Sequence, residues 1–137
     1  MADLLKSRRV PVLVSLALNP AAAGALFSAR PGGAGEAPPN SPARIDAESN
    51  PGRLEKAGVT FALITGGTER PDQIAERVRT AISRGLSRAA ALRALTLGPA
   101  EILGAKEQLG TIEKGKIANL TLLKGSYSKR KHVSAKS

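Results

Sequence analysis

The sequence has no cysteine, no tryptophan and a single histidine, His132. Without cysteine there can be no disulfide bond, no thiolate metal ligand and no cysteine nucleophile. A catalytic metal centre needs several ligands, usually histidine nitrogens and carboxylates, and a Ser–His–Asp arrangement needs a histidine held by a scaffold. His132 stands in a basic C-terminal stretch, so we expect it to be solvated. The chain alone is therefore not expected to contain a complete catalytic set.

Aromatic side chains are also scarce, at 2% of the 137 residues. The core must then be built from alanine, leucine, valine and isoleucine, which bury less area each. A chain of this length has room for one modest core and not for two independent domains. The composition predicts one domain, or a part of one, with a weak core.

Positively charged residues outnumber negatively charged ones, with 21 lysines and arginines against 11 aspartates and glutamates. The formal net charge is +10, and half of it falls in residues 124–137, which hold five basic residues and no acidic one. Such a tail is typical of a solvated, disordered chain end. The alternative is a small basic protein whose tail is an electrostatic arm for nucleic acid.

An apolar run at residues 10–18 follows a basic N-terminal segment. It is shorter than the roughly 20 residues that span a bilayer as a helix. Its valines favour a strand buried on both faces of a parallel sheet, with Pro11 tolerated near the start. The alternative is a secretory signal within residues 1–29, with 27–29 as a cleavage-like site. The first interpretation predicts a cytoplasmic protein, and the second a secreted or periplasmic one.

The composition changes abruptly at residues 19–52, which are rich in proline, glycine, alanine and serine and show no periodicity. This pattern predicts a long loop. After it, residues 54–57 predict a single helical turn that Gly58 closes in a left-handed conformation.

Residues 59–65 are a second candidate for a buried strand. Pro71 is placed to open a helix that Gly85 stops, and its apolar residues repeat with helical spacing at Ile74, Val78, Ala81 and Ile82. The order of strand, helix, strand and helix predicts an α/β fold in which the two strands pair in parallel through a right-handed crossover.

Two features beside this helix admit a binding interpretation. Gly66 and Gly67, between strand and helix, could cradle a phosphate, but no Walker lysine follows them. Arg77, Arg84 and Arg88 could form a basic stripe, but the acidic residues Asp72 and Glu76 share the helix of the first two, which favours a solvated outer face.

The stretch at 85–123 holds the strongest local signals. Ser87 predicts the N-cap of a helix, and Gly98 and Pro99 predict a second short helix with proline at its first position. Gly104 is expected to end that helix.

A glycine-bounded turn follows. Gly110 and Gly115 bracket it, and residues 117–123 then form an apolar run with β-branched residues, which predicts a strand entering a sheet.

This stretch resembles the end of the catalytic barrel in the amidohydrolase superfamily, especially imidazolonepropionase-like metal-dependent hydrolases. The resemblance is dense from residue 54 onward and looser before it, and the whole pattern carries it. The residues that match in the helix pair are Leu86, Ser87, Ala91, Leu92, Ala94, Leu95, Thr96, Pro99 and Ala100. Those that match in the segment after it are Gly104, Gly110, Ile112, Gly115, Lys116, Ala118 and Leu120, with Asn119 where the family usually has aspartate.

The resemblance implies a fold. Residues 1–109 would be the last two strands and helices of a (β/α)8 TIM-type barrel, including the loop at 19–52. Residues 110–124 would be the first strand returning to a small β-sandwich, and 125–137 a basic tail. The chain would then be a C-terminal fragment of such an enzyme, with either the missing barrel portion or a second copy as partner.

The resemblance also implies a reaction for the family, and it indicates that residues needed for this reaction are missing from this chain. The family hydrolyses carbon–nitrogen bonds other than peptide bonds with zinc or another divalent metal, and an aspartate after the last barrel strand binds the metal. Gly66 stands at that position here, and glycine has no carboxylate. Thr65, Gly66 and Gly67 would lie closest to substrate, while the family's histidines and lysine would fall before Met1. No metal ligand set is therefore expected in this chain.

Overall fold

The computed structural model describes residues 2–16, 40–64 and 71–122. Two strands and five helices lie within these ranges. In chain order they are α1 (Ala2–Ser7), β1 (Val12–Ser15), α2 (Pro42–Ala57), β2 (Phe61–Ile64), α3 (Pro71–Ser83), α4 (Arg88–Leu95) and α5 (Leu97–Ile102).

The two strands pair in parallel, with Val12 opposite Phe61 and Ser15 opposite Ile64. Hydrogen bonds continue the ladder beyond the strand at its carboxyl end, where the Leu16 amide donates to the Ile64 carbonyl at 2.7 Å. Both predicted strands and their parallel pairing are confirmed, although each strand is shorter than its apolar run.

The core lies between one face of this sheet and the helices. Aliphatic side chains and Phe61 fill it, and Ala91 and Val78 are almost fully enclosed, at 0% and 1% exposed. The small alanines let α4 approach the sheet closely, as expected of a core with few aromatics. The other buried members are Val14, Leu16, Leu54, Val59, Leu63, Ala81, Leu86 and Ala94.

The prediction of a loop throughout residues 19–52 is wrong from residue 42 onward, where α2 begins. Ser41 caps this helix by accepting a hydrogen bond from the Arg44 amide, and Pro42 occupies the first turn, where its missing N–H costs nothing. Pro51 lies inside the helix and is buried, so packing offsets the backbone hydrogen bond that proline cannot make. The predicted left-handed Gly58 closes the helix, with φ of 69°. The rest of the predicted loop, up to residue 39, lies outside the described residues.

Helix α2 packs against the turn that follows α3, and glycine makes this contact possible. A Cβ atom on Gly52 would lie 2.9 Å from the carbonyl carbon and oxygen of Gly85. Real Cβ atoms do not approach backbone this closely, so only glycine fits without a shift of one element.

The helices after β2 follow their local signals. Helix α3 begins at Pro71 as predicted, and the chain turns at Gly85, whose φ is +110°. Ser87 caps α4, accepting a hydrogen bond from the Ala90 amide at 3.1 Å. The start of the next helix was predicted two residues late, because α5 begins at Leu97 and places Pro99 third.

Gly98 explains how α5 meets the sheet. A Cβ atom at this position would lie 2.6 Å from the Phe61 carbonyl oxygen. The glycine lets the first turn of α5 rest directly on the amino end of β2. Beyond the helix, Gly104 has a left-handed φ of 71°, consistent with its predicted role in ending the helix.

The strand predicted at 117–123 does not form over residues 117–122, which carry no regular secondary structure; Leu123 lies outside the described residues. A strand needs a neighbouring backbone to complete its ladder. The apolar side chains of this segment lie in solvent, with Leu120 at 58% and Leu122 at 95% exposed. The return of this segment to a β-sandwich stays a prediction.

The turn before this segment holds a small polar cluster. Lys116 lies 3.3 Å from a Glu113 carboxylate oxygen and also donates to the Thr111 hydroxyl. Hydrogen bonds from Thr111 and Lys116, followed by the attraction of the Lys116 charge, lower the pKa of Glu113.

In the part of the chain that the structure describes, every helix is too short or too polar to cross a bilayer.

We predict that Gly52→Ala destabilises the protein by about 1–2 kcal/mol, because overpacking costs more than the gain in helix propensity. The free energy of unfolding in urea measures this. Asn50→Ala, at an exposed position of the same helix, is the control and is expected to be neutral or slightly stabilising. A stabilised Gly52→Ala variant would contradict the close approach to Gly85.

We predict that Thr111→Val and Lys116→Met each raise the pKa of Glu113 toward its ordinary 4.5. Since the folded-state pKa is lowered, the contribution of Glu113 to stability is present above that ordinary value and is lost as pH falls through the folded-state pKa. An NMR titration of the Glu113 side chain tests the shift. Lys114→Met, in the same turn, should leave the titration unchanged, and an equal response to all three substitutions would refute the assignment.

Candidate functional site

The candidate site is the carboxyl edge of the sheet, where β1 ends at Ser15 and β2 ends beside it at Ile64. In α/β folds with parallel strands, ligands bind at this end, because the loops that leave the strands converge there. The predicted substrate-proximal residues Thr65, Gly66 and Gly67 follow β2 in the chain and lie outside the described residues. His132 and the basic tail also lie outside them.

A small recess opens beside the carboxyl end of β1. Ser15, Leu16, Glu48 and Arg77 are among the residues that line it, and its volume is about 10 Å³. One water molecule is the most that such a volume holds. The recess is therefore not a substrate pocket.

Glu48 is the buried acid at this recess, at 7% exposed. Its two carboxylate oxygens accept hydrogen bonds from Nε of Arg44 at 2.9 Å and from Nε of Arg84 at 3.1 Å. Because each carboxylate oxygen accepts a hydrogen bond from a different guanidinium group, one on α2 and one at the end of α3, this geometry holds the two helices together.

This cluster corrects one prediction and reveals a residue that the sequence did not single out. Arg84 was expected on a solvated outer face, but it binds Glu48, which is 36 positions away. Glu48 lies in the stretch predicted as a loop. Without a predicted helix there, the sequence did not indicate which way the Glu48 side chain points. The i, i+4 spacing of Arg44 and Glu48 was the one available signal.

A larger recess, of about 290 Å³, lies at the opposite end of the sheet, at the amino end of β2. Glu55 and Arg93 stand in its lining and each has a partner. Glu55 accepts from the Ser87 amide at 2.8 Å and from the Ser87 hydroxyl at 2.6 Å. Nη2 of Arg93 contacts both carboxylate oxygens of Glu101 at 2.8 Å. In barrel folds this end serves stability and the other serves chemistry, so size alone does not make this recess the active site.

Across residues 2–16, 40–64 and 71–122, no three side chains of histidine, cysteine, aspartate or glutamate come together as a bound cation would require. The described residues therefore do not fit a divalent metal site.

The parallel strands and the helical crossover between them define an α/β protein. Residues 37–136 match the amidohydrolase family. Because the match spans well over half of the sequence, the chain belongs to that family, and the predicted resemblance to the amidohydrolase superfamily is confirmed.

A solved structure shows the same kinship. The chain resembles an amidohydrolase from Thermotoga maritima MSB8, with 26% sequence identity and a TM-score of 0.61. The match covers 85% of this chain and 26% of the Thermotoga chain, so this chain spans about a quarter of that relative's length. No curated protein matches the sequence.

We predict that Glu48→Gln lowers the free energy of unfolding by about 2 kcal/mol, because two charge-assisted hydrogen bonds at a buried site are weakened. Urea denaturation at neutral pH measures the loss. Asp46→Asn is the matched control, since Asp46 lies on the same helix and its pair with Arg53 is largely exposed, with side chains 67% and 64% accessible. The control should cost about 0.5 kcal/mol or less. Equal losses would show that Glu48 is not the anchor of α2.

Proposed function

We propose that this chain is the C-terminal barrel portion of a metal-dependent amidohydrolase that acts on carbon–nitrogen bonds other than peptide bonds, and that it is catalytically incompetent on its own. The observation that carries the proposal is Gly66. The family match includes this position, and the resemblance places the metal-binding aspartate there, immediately after the second strand and the threonine that follows it.

The amino-acid sequence supports the loss of metal chemistry independently of the structure. One histidine and no cysteine leave aspartate and glutamate as the remaining ligands, and a hydrolytic centre with an open water position is usually built on histidine nitrogens. Amidohydrolases generally use divalent metals. Since the residues present do not fit such a site, no catalytic step is assigned to them.

The described residues support a scaffolding role. Two parallel strands end side by side at the carboxyl edge, and helices α4 and α5 pack against β2. In a complete (β/α)8 barrel of the imidazolonepropionase-like kind, this portion would supply one wall of the active-site mouth. The nucleic-acid alternative depends on residues 124–137, and no observation on the described residues favours it.

The experiment is a metal titration and a hydrolysis assay on the purified 137-residue chain. We expect isothermal titration calorimetry to show no stoichiometric binding of Zn²⁺ and expect no metal-dependent hydrolysis of cyclic or linear amides above the rate of buffer with Zn²⁺. His132→Ala is the control for adventitious binding by the single histidine. Stoichiometric Zn²⁺ binding that survives His132→Ala, together with metal-dependent turnover, would overturn the proposal.

A further inference from the structure

We propose that Glu55 of α2 acts as the acidic member of a capping box for α4, and that the start of α4 therefore depends on the docking of α2. In a capping box, the side chain of an N-cap serine accepts from the amide three residues further on, and a glutamate at that third position accepts from the serine amide. The two hydrogen bonds from Ser87 to Glu55 are called here the trans cap. This conformational link goes beyond the proposed function and does not depend on it.

Half of a capping box lies within α4 itself. The Ser87 hydroxyl accepts from the Ala90 amide at 3.1 Å. The residue at the third position is this alanine, whose methyl group cannot accept a hydrogen bond from the Ser87 amide. Glu55 supplies the acceptor from α2 instead, with one carboxylate oxygen 2.8 Å from the Ser87 amide and the other 2.6 Å from the Ser87 hydroxyl. The box is thus completed across 32 positions of sequence.

The Ser87 hydroxyl connects the two helices in a directed way. A hydroxyl has one hydrogen to donate and two lone pairs that accept. Because its hydrogen is donated to the Glu55 carboxylate, a lone pair is turned toward the Ala90 amide. Hydrogen bonds in a chain polarise one another, and a charged acceptor strengthens the bond to it. The serine cap is therefore expected to be stronger with Glu55 in place than alone.

The sequence of α4 gives its first turn little local support. The helix has eight residues, fewer than an isolated helix needs to be stable in water. Its first turn contains no acidic residue and begins with Arg88, although the amino end of a helix favours negative charge. Glu55 brings that negative charge from a neighbouring helix. The contact thus supplies both a hydrogen-bond acceptor and a charge that α4 does not provide for itself.

The trans cap also sets the distance between two walls of the 290 Å³ recess at the amino end of β2. Glu55 lines this recess from α2, and Ala90 lines it from α4. Without the trans cap, the end of α2 and the start of α4 would be free to separate, and the recess would widen.

Amide hydrogen exchange followed by NMR on the 137-residue chain tests the trans cap. The reporters are the Ala90 and Ala91 amides, which donate to the hydroxyl and the carbonyl of Ser87. We expect Glu55→Gln to lower their protection roughly tenfold, as the loss of a strong helix cap does, because glutamine has one acceptor oxygen and no charge. Asp46→Asn is the matched control, since it removes the same charge from an exposed position of α2 and should leave both amides unchanged.

Ser87→Asp adds a test of sign. Aspartate is itself a strong N-cap. With Glu55 present, however, the new carboxylate would meet another carboxylate where a 2.6 Å hydrogen bond now lies, so we expect lower protection of the reporter amides. In the Glu55→Gln background this repulsion is absent, and Ser87→Asp should raise protection above that of Glu55→Gln alone.

Three results would overturn the trans cap and leave the proposed function standing. They are unchanged protection of the reporter amides in Glu55→Gln, an equal loss in Asp46→Asn, and an effect of Ser87→Asp that has the same sign in both backgrounds. A general loss of stability would lower protection throughout the chain and would not reverse the sign, so it is distinguished from loss of the cap.

Discussion

The packing of α2 on the turn after α3 is the constraint on which the described fold depends. Three residues of one helix face make it, at positions i, i+4 and i+7: Glu48, Gly52 and Glu55. The two carboxylates bind Arg84 and Ser87 on either side of the point where Gly52 meets the Gly85 backbone. Charge-assisted hydrogen bonds thus flank a contact that only glycine permits, and the helix can dock in one register.

This docking determines how the strands pair. Helix α2 is the crossover between β1 and β2, so fixing it to the α3–α4 turn fixes the connection that a parallel pair requires. With few aromatics to fill space, close backbone approaches replace bulk in two places, at Gly52 against Gly85 and at Gly98 against Phe61. Small residues and close backbone contacts thus keep the helices tightly packed, although the core has few large apolar side chains to fill it.

Local signals in the sequence predicted the elements whose causes are local. Ser87 as a cap, Pro71 as a helix start and Gly58 as a left-handed helix end all act within a few residues, and each is found where it was predicted. The family was also predictable, because its pattern is distributed over many positions in one stretch.

The secondary-structure predictions that were wrong depend on contacts between residues far apart in the sequence. Helix α2 was missed because Pro51 and Gly52 are unfavourable in an isolated helix, and their value lies in contacts with residues more than 30 positions away. The segment at 117–122 was predicted as a strand from propensity alone, but a strand also needs a partner. At the candidate site, the carboxyl edge was predictable from the strand order. The Glu48 cluster was not, because Arg84 lies 36 positions from Glu48 in the sequence.

The separation of packing from chemistry is consistent with the proposal that this chain keeps the family's fold while Gly66 stands where the resemblance places the family's aspartate. Several close-packed contacts, between Gly98 and Phe61 and between Glu55 and Ser87, lie toward the amino end of β2 or behind the sheet. Catalytic groups in barrels occupy the other end, where side chains project from strand ends into loops. A substitution at such a position would remove a ligand without opening a cavity in the core, so the proposed loss of the aspartate requires no change in the packing of the scaffold.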